Sequence, residues 1–296
     1  MSLIFDRLFS LLNYIISFNF YLAFGIALTG FSFALLIGNK PDIILFLIIF
    51  LITFSLYSIN RLTDKAEDAV NNPVRVSIIS KYENQLLFLA ILAYLIALAL
   101  SFLINIACFL ALIFILLIGV VYSVKSNSLK RIIGLARLKD LFIGKNVVIA
   151  INWVLAMVFI PLLFYSGQLT IGVIILAVFI IIRSIINTVL FDLGDIEGDK
   201  KQKIVTIPII LGKRRTILLF YLLNTFLVIL VSLAAYIGFL PRLAYLLNIS
   251  SLFVYFYLFL LSYTKINQRK LLDFVVDGEY IIIGGSILLF YYFVMV

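Results

Sequence analysis

Residues 42–68 read DIILFLIIFLITFSLYSINRLTDKAED. From Ile43 to Ile59 nothing is charged and almost everything is apolar, close to the ~18 residues that a helix needs to cross hydrocarbon. The run is continuous rather than alternating, so it predicts a spanning helix and not a strand of a barrel. If the helix persists beyond the run, Asn60, Asp64 and Asp68 fall at i, i+4 and i+8 and share one face at the membrane surface.

The rest of the chain repeats this pattern. Of 296 residues, 65% are hydrophobic and 12% charged, with a mean hydropathy of +1.24. A typical soluble domain has about 25% charged residues, so a water-soluble fold is excluded. In hydrocarbon only helices or closed barrels satisfy every backbone group, and the runs favour helices. Apolar runs between polar breaks predict nine spans, at about 20–38, 42–60, 84–102, 105–122, 142–164, 169–191, 215–238, 242–263 and 279–295. Met1 to Asn19 lacks a signal-peptide cleavage site and reads as an amphipathic interfacial helix, or as an early start to the first span. No segment reads as a soluble domain or linker, so residues 1–296 are expected to form one membrane-embedded domain.

The breaks after spans two, four, six and eight are long and hold 18 Lys and Arg, whereas those after spans one, three, five and seven hold only Lys40 and Arg242. By the positive-inside rule the long loops face the cytoplasm, with the N-terminus inside and, for nine spans, the C-terminus outside. The net charge of +9 is therefore mostly topological, meeting lipid headgroups and implying no nucleic-acid partner. Cys108 stands alone, which excludes a disulfide framework and a Cys-based metal site. Histidine is absent, so Ser-His-Asp and Cys-His catalysis are excluded and zinc loses its usual ligand.

A second acidic motif follows span six: Asp192-Leu-Gly-Asp195-Ile-Glu-Gly-Asp199. Its aspartates recur at i, i+3 and i+7, and Asp192 stands past span six as Asp64 stands past span two, an echo of four-helix duplication. Oxygen-only clusters suit a hard cation, and Mg2+ binds a few carboxylates while keeping water and substrate phosphate oxygens. Carboxylates this dense repel one another unless a cation joins them. A diphosphate between the two motifs, with nearby Lys and Arg as donors, completes the charge balance. Inside span six, Arg183 and Asn187 lie four residues apart on the face leading to Asp192. Intramembrane arginine is costly, which points to cavity lining or pairing with a carboxylate. Gly25, Gly30, Gly284 and Gly285 are expected to permit close helix approach, and Asn152 and Trp153 to border a cavity.

Together, Asn60-x3-Asp64-x3-Asp68, the Asp192–Asp199 motif, Thr206-Ile-Pro208 and Gly212 resemble the UbiA superfamily of intramembrane prenyltransferases. The middle polar stretch is similar too, through Tyr122-Ser123, Arg137-Leu-Lys139-Asp140 and Lys145-Asn146. The resemblance implies an all-α bundle of nine transmembrane helices with a central cavity open to the cytoplasmic side. It implies Mg2+ and an isoprenyl diphosphate donor held by the two motifs, and transfer of the prenyl group to a hydrophobic acceptor through an allylic cation. On this reading Asn60, Asp64, Asp68, Asp195 and Asp199 hold metal, and Asp64, Asp199 and Asp192 are catalytic. Arg61, Tyr122, Lys125, Arg137, Lys139 and Lys145 grip diphosphate, while Arg183, Asn187 and Asn146 face the acceptor or cavity.

A secondary transporter is the rival reading, but its polar sites gather near the midplane, whereas these acids gather at one surface. A phosphatidyltransferase would keep its aspartates in one compact run. Asn187 stands where family members acting on glycerophosphate lipids carry a basic residue, which favours an aromatic, quinone-type acceptor over an ether-lipid one.

Overall fold

A computed structural model describes residues 11–65, 68–69, 72–124, 131, 144–194, 196, 205–263 and 272–295. In chain order its helices are α1 (Leu11–Ser17), α2 (Phe20–Leu36), α3 (Ile43–Thr63), α4 (Pro73–Lys81), α5 (Glu83–Ile104), α6 (Ile106–Ser123), α7 (Gly144–Phe164) and α8 (Ile171–Gly194). They continue with α9 (Ile207–Leu211), α10 (Lys213–Ile237), α11 (Arg242–Ser262) and α12 (Leu272–Val294). Among the described residues eight helices are long and apolar enough to cross a membrane, and α1 with α2, bent by 64°, makes a ninth if counted as one span. The bend falls at Asn19, whose positive φ of 61° breaks the helix between α1 and α2.

Short polar side chains set the helix ends. Asp42 caps α3 by accepting from the Ile44 amide at 2.8 Å, and Asn72 caps α4 ahead of Pro73. Asn105 alone separates α5 from α6: it accepts from the Cys108 amide at 2.8 Å and donates to the Leu163 carbonyl at 2.8 Å, fixing that turn to α7. Gly238, with φ 91°, ends α10 in the left-handed conformation that glycine adopts without penalty.

Two close approaches knit the core. A Cβ on Gly284 would lie 2.5 Å from the Leu28 carbonyl, so α12 meets α2 backbone to backbone, and Thr29 donates across that contact to the Tyr280 carbonyl at 2.8 Å. Gly30 likewise lies against Ile49 and the Met157 backbone. Gly285 needs no such room, its nearest neighbour being Leu28 Cδ2 at 3.9 Å. The outward faces of α5 and α10 expose Phe88, Leu95, Phe102, Leu222, Phe226 and Leu233, as a lipid-facing surface requires.

The last span differs from expectation. It starts at Leu272 and not near 279, because Asp273, Asp277 and Glu279 are carried into the helix and buried. A hydropathy reading takes such acids for a loop; here each finds a partner that the linear pattern cannot reveal.

Candidate active site

The predicted helical face past α3 forms. Backbone bonds run from the Asp64 amide to the Asn60 carbonyl at 3.0 Å and from the Asp68 amide to the Asp64 carbonyl at 2.9 Å, so Asn60, Asp64 and Asp68 stack turn above turn. Asp64 is buried, Asn60 half-buried. Asn60 Oδ1 accepts from the Ser123 hydroxyl at 3.2 Å, which joins the ends of α3 and α6. Arg61 Nη1 lies 3.3 Å from Asp68 Oδ2, and its Nε donates to Asn19 Oδ1 at 3.3 Å.

On the facing helices, Asp192 near the end of α8 meets the start of α7. Lys145 Nζ is 2.6 Å from Asp192 Oδ1, and Asn146 Nδ2 is 3.3 Å from Oδ2, so both carboxylate oxygens are engaged. Thus Lys145, Asn146 and Asp192, far apart in sequence, come together, as do Asn60 with Tyr122 and Ser123.

Below Asn60 a cavity opens between α3, α6 and α7. Its rim is polar, with Asn60, Tyr122 and Ser123, and its deeper wall is apolar, with Ile52, Leu56, Ile115 and Ala156. Trp153 and Asn152 both line it. Trp153 Nε1 donates to the Tyr57 hydroxyl at 2.6 Å and its ring meets Tyr280 edge-on at 4.5 Å, while Asn152 Oδ1 is buried with no partner among the described residues. A polar mouth over an apolar shaft accommodates a molecule with a charged head and a hydrocarbon tail.

Arg183 does not line this cavity. It is fully buried between α8, α10, α11 and α12, with Nε 3.2 Å from Glu279 Oε1, Nη1 2.7 Å from Asn224 Oδ1 and Nη2 on Ser251. Tyr257 donates to the other Glu279 oxygen at 2.9 Å. Asn187, one turn nearer the mouth, donates to Asp277 Oδ1 at 3.3 Å. Asp195, Asp199, Lys125, Arg137 and Lys139 lie outside the described residues. Among the described residues no group of three or more His, Cys, Asp or Glu side chains could hold a metal ion, so an Asp-based centre needs donors beyond them or from the substrate.

Sequence reasoning missed the third acidic group, on α12. Asp273 Oδ2 is 2.6 Å from Arg75 Nη2 of α4, Asp277 faces α8, and Glu279 faces Arg183. Spacing carried the signal, since Asp273 and Asp277 stand at i and i+4, but the short interval between them and the apolar run disguised it as a loop.

Among curated proteins, the chain is 29% identical over 191 residues to a digeranylgeranylglyceryl phosphate synthase of Methanosphaera stadtmanae, a match covering 64% of this chain and 65% of the relative. Its fold matches that of a UbiA homolog from Archaeoglobus fulgidus solved with GPP and Mg2+, with a TM-score of 0.63 and 18% identity over 93% of this chain and 99% of the other. A UbiA homolog from Aeropyrum pernix K1, solved in its apo form, has the same TM-score at 14% identity, covering 90% and 96% of the two chains. The UbiA prenyltransferase family matches residues 22–276, from α2 through both acidic motifs into α12, and the chain belongs to that family.

Proposed function

We propose that this chain transfers a prenyl group from an isoprenyl diphosphate to a lipophilic acceptor, with Mg2+ as cofactor. The observation that carries the reading is the stack of Asn60, Asp64 and Asp68, whose first member lines the rim of a cavity with an apolar deeper wall, in a chain of this family. The residues fit the ion: the donors are carboxylate and amide oxygens without sulfur or imidazole, and the Asn60 oxygen, which among the described residues accepts only from the Ser123 hydroxyl, keeps acceptor capacity. Asn60, Asp64 and Asp68 would hold Mg2+ with Asp195 and Asp199. When bound, Mg2+ neutralises the diphosphate and makes it a better leaving group.

The chain's own residues do the rest. Arg61, Tyr122 and Lys145, with Lys125, Arg137 and Lys139 from outside the described residues, would supply donors to the diphosphate, and the apolar shaft takes the hydrocarbon tail and keeps water from the allylic cation. Tyr57 and Trp153 line that shaft and place aromatic rings along it. Asp192, both of its oxygens engaged by Lys145 and Asn146, orients the acceptor side of the mouth. We place this machinery in one domain of nine spans, with the mouth and N-terminus on the cytoplasmic side and the C-terminus outside.

Two acceptor classes each have one supporting observation. The likeness to a digeranylgeranylglyceryl phosphate synthase favours a glyceryl phosphate lipid, an ether-forming reaction. Asn187, in place of a basic residue, favours an aromatic ring of quinone type. Incubating purified protein with Mg2+, donors of several chain lengths and both acceptor classes, followed by mass spectrometry, tests the proposal. A prenylated product that disappears with EDTA supports it, and no product with any pairing refutes it.

A further inference from the structure

Three helices meet at one level of the cavity. Leu56 and Tyr57 stand one turn below Asn60 on α3, and Gly119 of α6 lies against Leu56, where a Cβ would come within 2.6 Å of Leu56 Cδ2. Trp153 Nε1 donates to the Tyr57 hydroxyl at 2.6 Å, which sets α7 at the same height and brings the neighbouring Asn152 into the wall beside them. One turn of helix rises about 5.4 Å, so this level lies just beneath a head group held at Asn60.

Most polar groups of this wall have an answer within the protein. Ser123 donates to Asn60, and Trp153 to Tyr57. Thr53, a turn deeper, has the preceding turn of its own helix to bond, as threonines in helices do. Asn152 differs: its Oδ1 is buried without a hydrogen-bond partner among the described residues. Its amide carries both donors and an acceptor, and turning about χ2 presents either end to the cavity.

A prenyl tail cannot satisfy that amide. Hydrocarbon packed against it leaves its hydrogen bonds unmade, which is costly in a buried site. A hydroxyl fits, because it gives its proton to Oδ1 or accepts from Nδ2. The level fits as well: one turn beneath the head is where the donor's first carbon falls, so a hydroxyl held by Asn152 stands beside the reacting end of the donor. Resting on the prenyl-transfer reading, we propose that Asn152 binds the hydroxyl group of the acceptor, and so selects hydroxylated acceptors over molecules of the same shape without one.

The experiment uses full-length protein in lipid nanodiscs, as wild type, N152L and N152T. With Mg2+ and geranylgeranyl thio-diphosphate, a non-reactive donor, in place, the affinity of each acceptor is compared with that of its analogue bearing hydrogen for the hydroxyl. The pairs are para-hydroxybenzoate with benzoate, and geranylgeranylglyceryl phosphate with its deoxy form. Donor affinity and product formation from geranylgeranyl diphosphate are measured beside them. We expect wild type to prefer one hydroxylated acceptor to its analogue by about fivefold to tenfold, the worth of one hydrogen bond, and N152L to bind donor within about twofold of wild type yet lose the preference. N152T, which keeps a hydroxyl at the position, should retain part of it. A wild type without preference in either pair, a preference undiminished in N152L, as a wall amide that holds only water would give, or donor binding lost in both variants overturns the inference. Where N152L alone loses the donor, N152T decides: a reduced preference supports the inference and an unchanged one overturns it. A wild type that forms no product with either acceptor refutes the prenyl-transfer reading itself.

Discussion

At the residue scale, charge decides both function and stability. Asp64→Asn should abolish Mg2+-dependent binding of a non-reactive thio-diphosphate donor, since an amide carries no net charge to offset the cation, and Asp199→Asn should do the same. Asp192→Asn should keep much of that binding and depress transfer; equal loss in all three variants would remove the division of roles. Arg183 is a different case, because it is fully buried against Glu279. Arg183→Met strands an acid in the core, at a cost of roughly 3–5 kcal/mol, whereas adding Glu279→Gln should restore most of it. Thermal unfolding in detergent would read both, and a single variant as stable as wild type would show that the pair contributes nothing. The first motif could be read from sequence because its partners are helical neighbours. Asp277 could not, because Asn187 is 90 residues away in the chain.

At the scale of elements, glycine sets how close two helices come. Gly284→Ala puts a methyl 2.5 Å from the Leu28 carbonyl, so α2 and α12 must part, and overpacking of this kind costs about 1–3 kcal/mol. Gly285→Ala meets only Leu28 Cδ2 at 3.9 Å and should be neutral. Size-exclusion profiles and melting temperatures of the two variants provide the comparison, and equal behaviour would show that this contact does not set the packing. Both glycines look alike in sequence, since adjacent positions on a helix differ in direction by about 100° and only the partner helix shows which one faces it. Helix ends follow the same rule. Those at Asp42, Asn72 and Asn105 are local and visible as caps, whereas the start of α12 depends on Arg75, Asn187 and Arg183, which neutralise or bond its acids from elsewhere.

At the scale of the whole molecule, the asymmetry of Lys and Arg predicts sidedness. After Cys108 is replaced, single cysteines at Ser128 and Gln268 should react only with reagent that reaches the cytoplasmic side; labelling of either from outside would overturn the nine-span arrangement. The sequence by itself determined that the chain is helical and membrane-embedded, because continuous apolar runs leave the backbone no other way to satisfy its hydrogen bonds in hydrocarbon. It also determined the helical face that Asn60, Asp64 and Asp68 share, because helical periodicity is a local property. Only the tertiary structure decided that Lys145 and Asn146 clasp Asp192, that Arg183 belongs to a buried ion pair away from the cavity, and that Asn187 bonds Asp277. Those outcomes depend on which helices are neighbours, and hydropathy, which sums residues one at a time along the chain, contains no term for a charge neutralised by a partner from another span.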